Sequence, residues 1–550
     1  MGIGVALDLG TSGFRAQAID IESGKVISTA ITLRHPLPGI NVMDHLTFAI
    51  EYGLDLSHRI FIDAVEKLIA RLKGIKPKDI ERIAVSGNPT QLSLFQGIEI
   101  RDLAYAGKRA LERRKVIPPK RDATIRKAGE IGIRNVPSET DVCIPPCIKH
   151  EIGADAIAMM VKSGFLEKDL ALVVDYGTNA EMALKVGDEI LTGSAAAGPA
   201  IEGQHIEKGV LASPGAISDL IYTERGWRCI VLDEEMYAKP GDIVDICTGK
   251  IIEPGEMHGK AGGVTGTGVI AAIAVGMITN LIKLPRIITH NSRLNLQDCI
   301  YITESDLEEA GKALGAFRAG FITLAEEAGI RFADIKVIYM AGASGFYVDP
   351  IKSRIVGQIP HSAEEIYQIG NTSLALAADI VKDPDLLDEL QNFTNELRNS
   401  HVMFAESEVF KNTYILELAY WLQGMPIEHY NKFLRTYGIK QEIVTSTKDP
   451  KKIVKVVPRD IAELGKFGLS VVSDIGTILE VYAEGCIECM NCMQSCPEEA
   501  IISIDEGIVR IDSSRCLGTA CRKCISACPE GVLNFDKAKV SGYGVGDTVG

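Results

Sequence analysis

Eight cysteines near the end of the sequence are spaced as ligands of iron–sulfur clusters. They form two runs, each followed by a proline: Cys486-x2-Cys489-x2-Cys492-x3-Cys496-Pro497 and Cys516-x4-Cys521-x2-Cys524-x3-Cys528-Pro529. Four thiolates within one short loop are what a cubane cluster requires. The x2 pairs also suit tetrahedral zinc, but zinc needs neither the three-residue gap nor the proline. The two runs therefore predict one-electron redox chemistry.

Together the two runs resemble a bacterial-type ferredoxin that holds two 4Fe-4S clusters. The resemblance implies that the fourth cysteine of each run ligates the other cluster. The implied ligand sets are Cys486, Cys489, Cys492 and Cys528 for one cluster, and Cys516, Cys521, Cys524 and Cys496 for the other. The x4 gap departs from the usual x2 and leaves an altered second cluster open. Four β-prone segments flank the runs, as in a duplicated half-domain: 477–482, 500–504, 508–511 and 532–535.

Composition narrows the class of protein. The chain has 550 residues, 46% of them hydrophobic, and this is enough for several globular domains. Its net charge of −15 argues against a nucleic-acid surface, which needs clustered Lys and Arg. The five cysteines outside the runs suggest no disulfide framework, and Met1 is followed at once by a strand-like segment instead of a signal peptide. We expect a cytoplasmic protein that binds small molecules or proteins.

One uncharged stretch, 261–282, is long enough to cross a bilayer. It is rich in glycine, with Gly262, Gly263, Gly266 and Gly268 near its start. Glycine turns that lead into a buried helix account for this composition better than a membrane span does. We therefore expect no contact with a membrane.

An acidic residue followed by a Gly-Thr turn occurs twice after an apolar strand. In the first copy the strand 4–9 contains Asp8 and leads into Gly10, Thr11 and Ser12, and a second strand follows at 14–20. Glycines let the backbone approach a phosphate, while N–H and hydroxyl groups donate to its oxygens. Asp8 could hold a hydrated Mg2+ at the edge of this turn. Taken alone, this pattern is common in hairpins that bind nothing.

The second copy and a third small-residue turn strengthen the nucleotide interpretation. The strand 172–174 leads into Asp175, and the turn Gly177, Thr178 and Asn179 follows. Two such hairpins could hold the two ends of a polyphosphate. A further apolar strand, 337–341, runs into four small residues that suit the close approach of an adenosine: Gly342, Ala343, Ser344 and Gly345.

The three pieces in this order resemble the phosphate-1, phosphate-2 and adenosine motifs of the actin, Hsp70 and sugar-kinase superfamily. The resemblance implies an α/β fold with duplicated ATPase subdomains, here followed by an α+β ferredoxin module. The expected domains are 1–170 and 171–385 for the two subdomains, 386–480 for a helical extension and connecting segment, and 481–550 for the module. The implied ligands are ATP and Mg2+. Asp8 and Asp175 would then position Mg2+ and the attacking water.

Further segments resemble the reductive activators of corrinoid proteins: 52–60, 86–90, 198–203, 263–268 and 370–373. The C-terminal two-cluster module is similar to that of the branch serving methylamine methyltransferases in methanogenic archaea. This resemblance implies ATP-dependent reduction of Co(II) to Co(I) in a methyltransferase corrinoid protein, as part of methanogenesis from methylamines. Electrons would come from an upstream low-potential donor. An ATP-dependent activator of a radical enzyme, of the dehydratase or benzoyl-CoA reductase type, remains the alternative.

Overall fold

The computed structural model describes residues 2–105, 108–148, 152–177, 179–444, 449–456, 464–518 and 521–541. Thr178, one of the predicted phosphate-binding residues, lies outside the described residues. The chain divides into two compact units. The first unit contains 1–154, 374–393 and 463–550, and the second contains 155–373 and 394–462.

The strands within the described residues are, in chain order, β1 Ile3–Leu9, β2 Phe14–Asp20, β3 Val26–Thr32, β4 Ile80–Gly87, β5 Thr124–Lys127, β6 Asp141–Ile144, β7 Leu170–Tyr176, β8 Asn179–Val186, β9 Glu189–Ala196, β10 Ala216–Thr223, β11 Gly226–Leu232, β12 Ala238–Val244, β13 Ile251–Glu253, β14 Gly263–Val264, β15 Ile282–Lys283, β16 Arg286–Ile287, β17 Arg293–Asn295, β18 Tyr301–Thr303, β19 Val337–Ala341, β20 Glu365–Gly370, β21 Lys452–Lys455, β22 Leu469–Val472, β23 Ile478–Tyr482, β24 Ile501–Asp505, β25 Ile508–Asp512 and β26 Ala538–Val540.

The α-helices of the same residues are α1 Val42–Tyr52, α2 Leu54–Ala70, α3 Pro89–Gln96, α4 Arg101–Ala104, α5 Lys108–Arg113, α6 Ala128–Ile131, α7 Ala154–Val161, α8 Gly266–Ile278, α9 Glu304–Glu327, α10 Gly342–Tyr347, α11 Pro350–Ile355, α12 Thr372–Lys382, α13 Leu386–Leu397, α14 Glu408–Gln423, α15 Ile427–Thr436, α16 Asn491–Gln494 and α17 Lys523–Ser526.

The first unit is built on a seven-stranded sheet in the order β22-β3-β2-β1-β4-β6-β5. The strands β1, β2 and β3 pair antiparallel, whereas β4 lies parallel to β1 on its other side. β1 is almost entirely apolar and buried, as expected for a strand with neighbours on both edges. The first acidic turn follows directly after β1, at the carboxyl end of that strand.

The second unit repeats this arrangement in a six-stranded sheet, β21-β20-β19-β7-β8-β9. Here β7, β8 and β9 pair antiparallel, and β19 lies parallel to β7. The order β9-β8-β7-β19 therefore matches β3-β2-β1-β4 in the first unit. Each predicted hairpin occupies the same place in its own sheet.

The cluster module belongs to the first unit and has its own sheet, β24-β25-β23-β26. Three of its four strands lie where β-propensity predicted them, but the prediction of a strand at 532–535 is wrong, since the last strand is β26. Val532 and Leu533 instead line a cavity beside Cys528. Their branched side chains are used for packing around the cysteines and not for a strand ladder.

The module packs directly on the rest of the first unit. β22 pairs in parallel with β3, so the chain joins the large sheet before it enters the module. Thr477 donates to Asp63 at 2.5 Å, Lys67 donates to the carbonyl of Gly476 at 2.5 Å, and the Tyr52 and Phe535 rings lie 5.5 Å apart. These contacts fix the module against α1 and α2.

Helix α8 is the buried helix expected for the uncharged stretch. Most of its residues are buried, and the Thr265 side chain caps it by accepting from the backbone N–H of Gly268. Among the described residues, no helix is both long and apolar enough to cross a membrane. The long helix α9 is capped by Thr303 and Asp306.

Candidate nucleotide and cluster sites

The turn of the first hairpin is narrow. A Cβ on Gly10 would lie 2.9 Å from the carbonyl oxygen of Gly13, so the turn requires glycine there. Thr11 accepts a hydrogen bond from Asn88 Nδ2 at 3.0 Å. Asp8 lies opposite Arg15 in the β1–β2 register, which places a carboxylate and a guanidinium on neighbouring positions of one face.

The second hairpin has different electrostatics. Asp175 lies opposite Glu181 in the β7–β8 register, and Glu181 is buried, with 4% of its surface exposed. Burial, followed by the charges of Asp155 and Asp175, raises the pKa of the Glu181 carboxyl well above its ordinary value. The Glu181 carboxyl therefore keeps its proton to a higher pH than an ordinary glutamate does. Gly177 follows directly after β7, and Asn179 is the first residue of β8.

The third predicted segment lies against the second hairpin. Gly342 has a φ of +75°, and a Cβ on it would lie 2.2 Å from Asp175 Oδ1. Gly345 also allows a close approach, because a Cβ there would lie 2.8 Å from the ring of Tyr176. The segment was expected to be a turn, but residues Gly342–Tyr347 form the short helix α10, which includes Ala343 and Ser344. The structure thus brings the acidic strand and the predicted adenosine segment together.

The cysteines surround two separate cavities. One is lined by Cys486, Cys489, Cys492 and Cys528, together with residues of the module itself. The other is lined by Cys496, Cys516, Cys521 and Cys524. These are the same two sets that the ferredoxin resemblance implies. In the described part of the chain, no group of three or more His, Cys, Asp or Glu converges on a point where one metal ion could bind.

The two cavities differ in what covers them. Phe48 and Tyr52 of α1 line the cavity of the Cys516 set, whereas the other cavity is lined by module residues alone. Burial raises the pKa of the Cys516 thiol to about 12 and that of Cys524 to about 11. These two thiols are therefore poorly solvated. Backbone N–H groups of Gly518 and Ala500 donate to sulfur atoms of this set.

Comparison with known proteins places these features in one family. Residues 3–168 match the model described as the RACo middle region, 169–431 match the C-terminal domain of RACo, the ASKHA domain, and 485–540 match a 4Fe-4S dicluster domain. The [Co(II) methylated amine-specific corrinoid protein] reductase of Methanosarcina barkeri is 48% identical over 526 residues, which cover 94% of this chain and 95% of that protein. The chain belongs to the family of corrinoid protein reductive activators.

Two further relatives agree with this family. The corrinoid activation enzyme RamQ of Eubacterium limosum is 25% identical over 75% of this chain and 69% of its own length. A solved structure, the reductive activator for corrinoid, iron-sulfur protein, superimposes with a TM-score of 0.61 at 21% identity, covering 77% of this chain and 68% of that one. The predicted fold class is confirmed, with an ASKHA ATPase fold and a C-terminal ferredoxin-type module.

Several site residues of this corrinoid activator escaped prediction from the sequence. In the sequence, Glu181 is an ordinary polar position of a strand, and no pattern in the neighbouring residues indicates that it is buried beside Asp175. Phe48 and Tyr52 come from a helix more than 400 positions before the cysteines they cover. Asn88 had a usable signal, because Asn followed by Pro is a common start of a helix, and it caps α3. No signal in the sequence predicted the hydrogen bond between Asn88 and Thr11.

Proposed function

We propose that this protein is an ATP-dependent iron–sulfur oxidoreductase that reduces Co(II) to Co(I) in methyltransferase corrinoid proteins. The observation that carries the proposal is the joining of an ASKHA ATPase fold to two sets of four cysteines in one chain. The near full-length similarity to a Co(II) corrinoid protein reductase supports it. Cob(I)amide is the nucleophile of corrinoid methyl transfer, so a stranded Co(II) form must be reduced before catalysis resumes.

Two 4Fe-4S clusters would be held by the two cysteine sets. Their donor chemistry fits, because each set offers four sulfurs around a cavity, and two backbone N–H groups donate to sulfurs of the Cys516 set. When bound, the clusters supply single electrons. The protein residues set their surroundings: Phe48 and Tyr52 limit the access of water to the Cys516 set, while Cys489 of the other set is exposed.

ATP would bind through the two hairpins and the third segment. Gly10, Thr11 and Ser12 of the first hairpin, with Gly177, Thr178 and Asn179 of the second, are proposed to hold the phosphates. Asp8 and Asp175 are proposed to position Mg2+ and the attacking water. Gly342, Ala343, Ser344 and Gly345 are proposed to hold the adenosine. The close approach of Gly342 to Asp175 supports this assignment, because any larger side chain would displace the carboxylate.

ATP is proposed to act by favouring a protein conformation in which Co(II) is more easily reduced. Each ~59 mV of unfavourable one-electron potential lowers the reduced fraction about tenfold. A donor that is a few hundred millivolts too weak therefore yields almost no Co(I) without such coupling.

The partner is proposed to be a methylamine-specific corrinoid protein, and the electrons are proposed to come from a low-potential donor in the cytoplasm. The name of the Methanosarcina barkeri relative supports the partner. All thirteen cysteines are free of disulfides, which agrees with a reducing compartment. The alternative of a radical-enzyme activator is not favoured, because the two relatives that cover most of the chain act on corrinoid proteins by name.

The test is anaerobic visible spectroscopy of a Co(II) methylamine corrinoid protein with this protein and a strong reductant. We expect the Co(I) band to grow only when Mg-ATP is present. Cys489→Ser should reduce the rate at least about tenfold by disturbing one cluster, whereas Cys299→Ser, at another exposed cysteine, should leave it unchanged. Equal Co(I) formation with and without ATP would refute the proposed coupling.

A further inference from the structure

A series of buried hydrogen bonds, joined by short stretches of chain, begins at the turn that contains Thr11. Asn88 donates through Nδ2 to Thr11 and accepts through Oδ1 from the backbone N–H of Gln91, both at 3.0 Å. Asn88 and Gln91 are buried, with 6% and 0% of their surfaces exposed. Water therefore competes little for these bonds, and a change in the orientation of Thr11 must be accommodated by Asn88.

Gln91 connects this pair to two stacked histidines. Its Oε1 accepts from His35 Nε2 at 2.9 Å, and its Nε2 donates to His45 Nδ1 at 3.0 Å. The two imidazole rings stack with centroids 3.8 Å apart. His35 Nδ1 accepts from the backbone N–H of Leu37 at 3.1 Å. The donors and acceptors around His35 thus agree with a single neutral tautomer, in which Nε2 carries the proton.

The segment that follows His35 holds the Cys516 end of the module. The carbonyl of Pro36 accepts from the hydroxyl of Ser513 at 2.5 Å, and the backbone N–H of Gly39 donates to the carbonyl of Cys516 at 2.9 Å. Ser513 is completely buried. The loop 36–39 is therefore attached to His35 at one side and to the backbone of a predicted cluster ligand at the other.

We propose that Asn88, Gln91 and His35 form a relay that couples nucleotide binding at Thr11 to the surroundings of the cluster held by the Cys516 set. The relay rests on the proposed function, since it requires ATP at the first hairpin. A Thr11 hydroxyl that donates to a phosphate oxygen can still accept from Asn88. Asn88 caps α3 and bonds both Thr11 and the backbone N–H of Gln91, so a shift of Thr11 on nucleotide binding moves the start of α3. The Gln91 side chain, which is bound to His35, moves with it. Gln91 acts as a positioning residue and touches neither ligand.

The relay is tested with Gln91→Met, which keeps the length of the side chain and removes its hydrogen bonds to His35 and His45, while the backbone bond to Asn88 remains. The matched control is Gln297→Met, since Gln297 is also completely buried and hydrogen-bonded but belongs to the second unit. Amide hydrogen exchange at Gly39 and the EPR spectrum of the reduced clusters are measured with and without Mg-ATP. Binding of ATP is measured in the same samples.

In the wild type and in Gln297→Met, Mg-ATP should slow exchange at Gly39 about fivefold or more and alter the EPR signal of one cluster. In Gln91→Met both responses should be lost while ATP binding remains. An unchanged ATP response in Gln91→Met would overturn the relay and leave the proposed function intact. Absence of ATP binding to the wild type would overturn both. Should Gln91→Met fail to fold, an ATP-independent exchange rate at Gly39 in the wild type alone would overturn the relay.

Discussion

The two hairpins occupy the same place in matching sheets, yet their acidic residues have opposite neighbours. Asp8 lies across from Arg15, whereas Asp175 lies across from the buried Glu181. The Glu181 carboxyl beside Asp175 keeps its proton to a higher pH than an ordinary glutamate, because burial and the nearby carboxylates raise its pKa. Matching sheets thus place the two aspartates in different electrostatic surroundings.

The surroundings of the turns extend this difference. The first turn is tied through Asn88 to the interior of its unit and to the loop beside Cys516. The second turn is packed against α10 through Gly342. We infer that the first hairpin responds to nucleotide binding and passes the response to the loop beside Cys516. The second hairpin then orients the attacking water.

The strongest test of this division is to neutralise each aspartate. Asp175→Asn should lower the rate of ATP hydrolysis about 100-fold or more, because it removes the carboxylate proposed to position water. Asp8→Asn should act mainly on the affinity for Mg-ATP. Steady-state kinetics with varied Mg-ATP separate the two effects as kcat and KM.

The control for both variants is the content of iron and acid-labile sulfide, which should match that of the wild type. Equal losses of kcat in Asp8→Asn and Asp175→Asn would contradict the division of roles between the two hairpins.

The sequence predicted those parts of the site that depend on local pattern. Apolar strands ending in Asp and Gly-Thr identified both hairpins. Cysteine spacing identified the module, and the resemblance to ferredoxins implied its two sets. Contacts between segments that lie far apart in the sequence could not be predicted from it. Tyr52 covers a cavity formed by residues near 520, and Gln91 is bound to His35 only because α3 packs beside the segment after β3. No periodicity or spacing rule encodes such pairs.

The same limit explains the errors in the predicted elements. Residues 532–535 have strand-forming composition, but the cavity at Cys528 recruits Val532 and Leu533. The segment 386–480 was expected to be helical or connecting, and it does contain α13, α14 and α15. It also contributes β21 to the sheet of the second unit and β22 to that of the first. Edge strands this short carry too little pattern to be recognised alone.

A second prediction concerns the close approach of Gly342 to Asp175 in the second hairpin. Gly342→Ala should weaken ATP binding about tenfold or more, because alanine is disfavoured at a φ of +75° and its Cβ would displace the Asp175 carboxylate. Gly329→Ala is the control for backbone strain alone, since Gly329 has a φ of +66° and open space around it. Calorimetric titration with Mg-ATP measures both. Similar affinities in the two variants would show that the contact with Asp175 is unimportant.

The smallest expected effect is the pH dependence contributed by Glu181. Its pKa is raised well above the ordinary value of 4.5 in the native state. Between those two values the native state holds a proton that the unfolded state has lost, so this residue makes the wild type less stable as pH rises. Glutamine has no such proton to lose. Glu181→Gln should therefore gain thermal stability relative to the wild type as pH increases, by about 2 °C or more at the alkaline end.

Thermal unfolding under anaerobic conditions, followed at several pH values from the acidic to the alkaline side of neutrality, measures this gain. The exposed Glu224→Gln controls for the loss of one carboxylate and should follow the wild type at every pH. Parallel curves for Glu181→Gln and the wild type would mean that Glu181 is ionised in the native state. The second hairpin would then hold two adjacent carboxylates, and a bound cation at Asp175 would become the better account of its difference from the first.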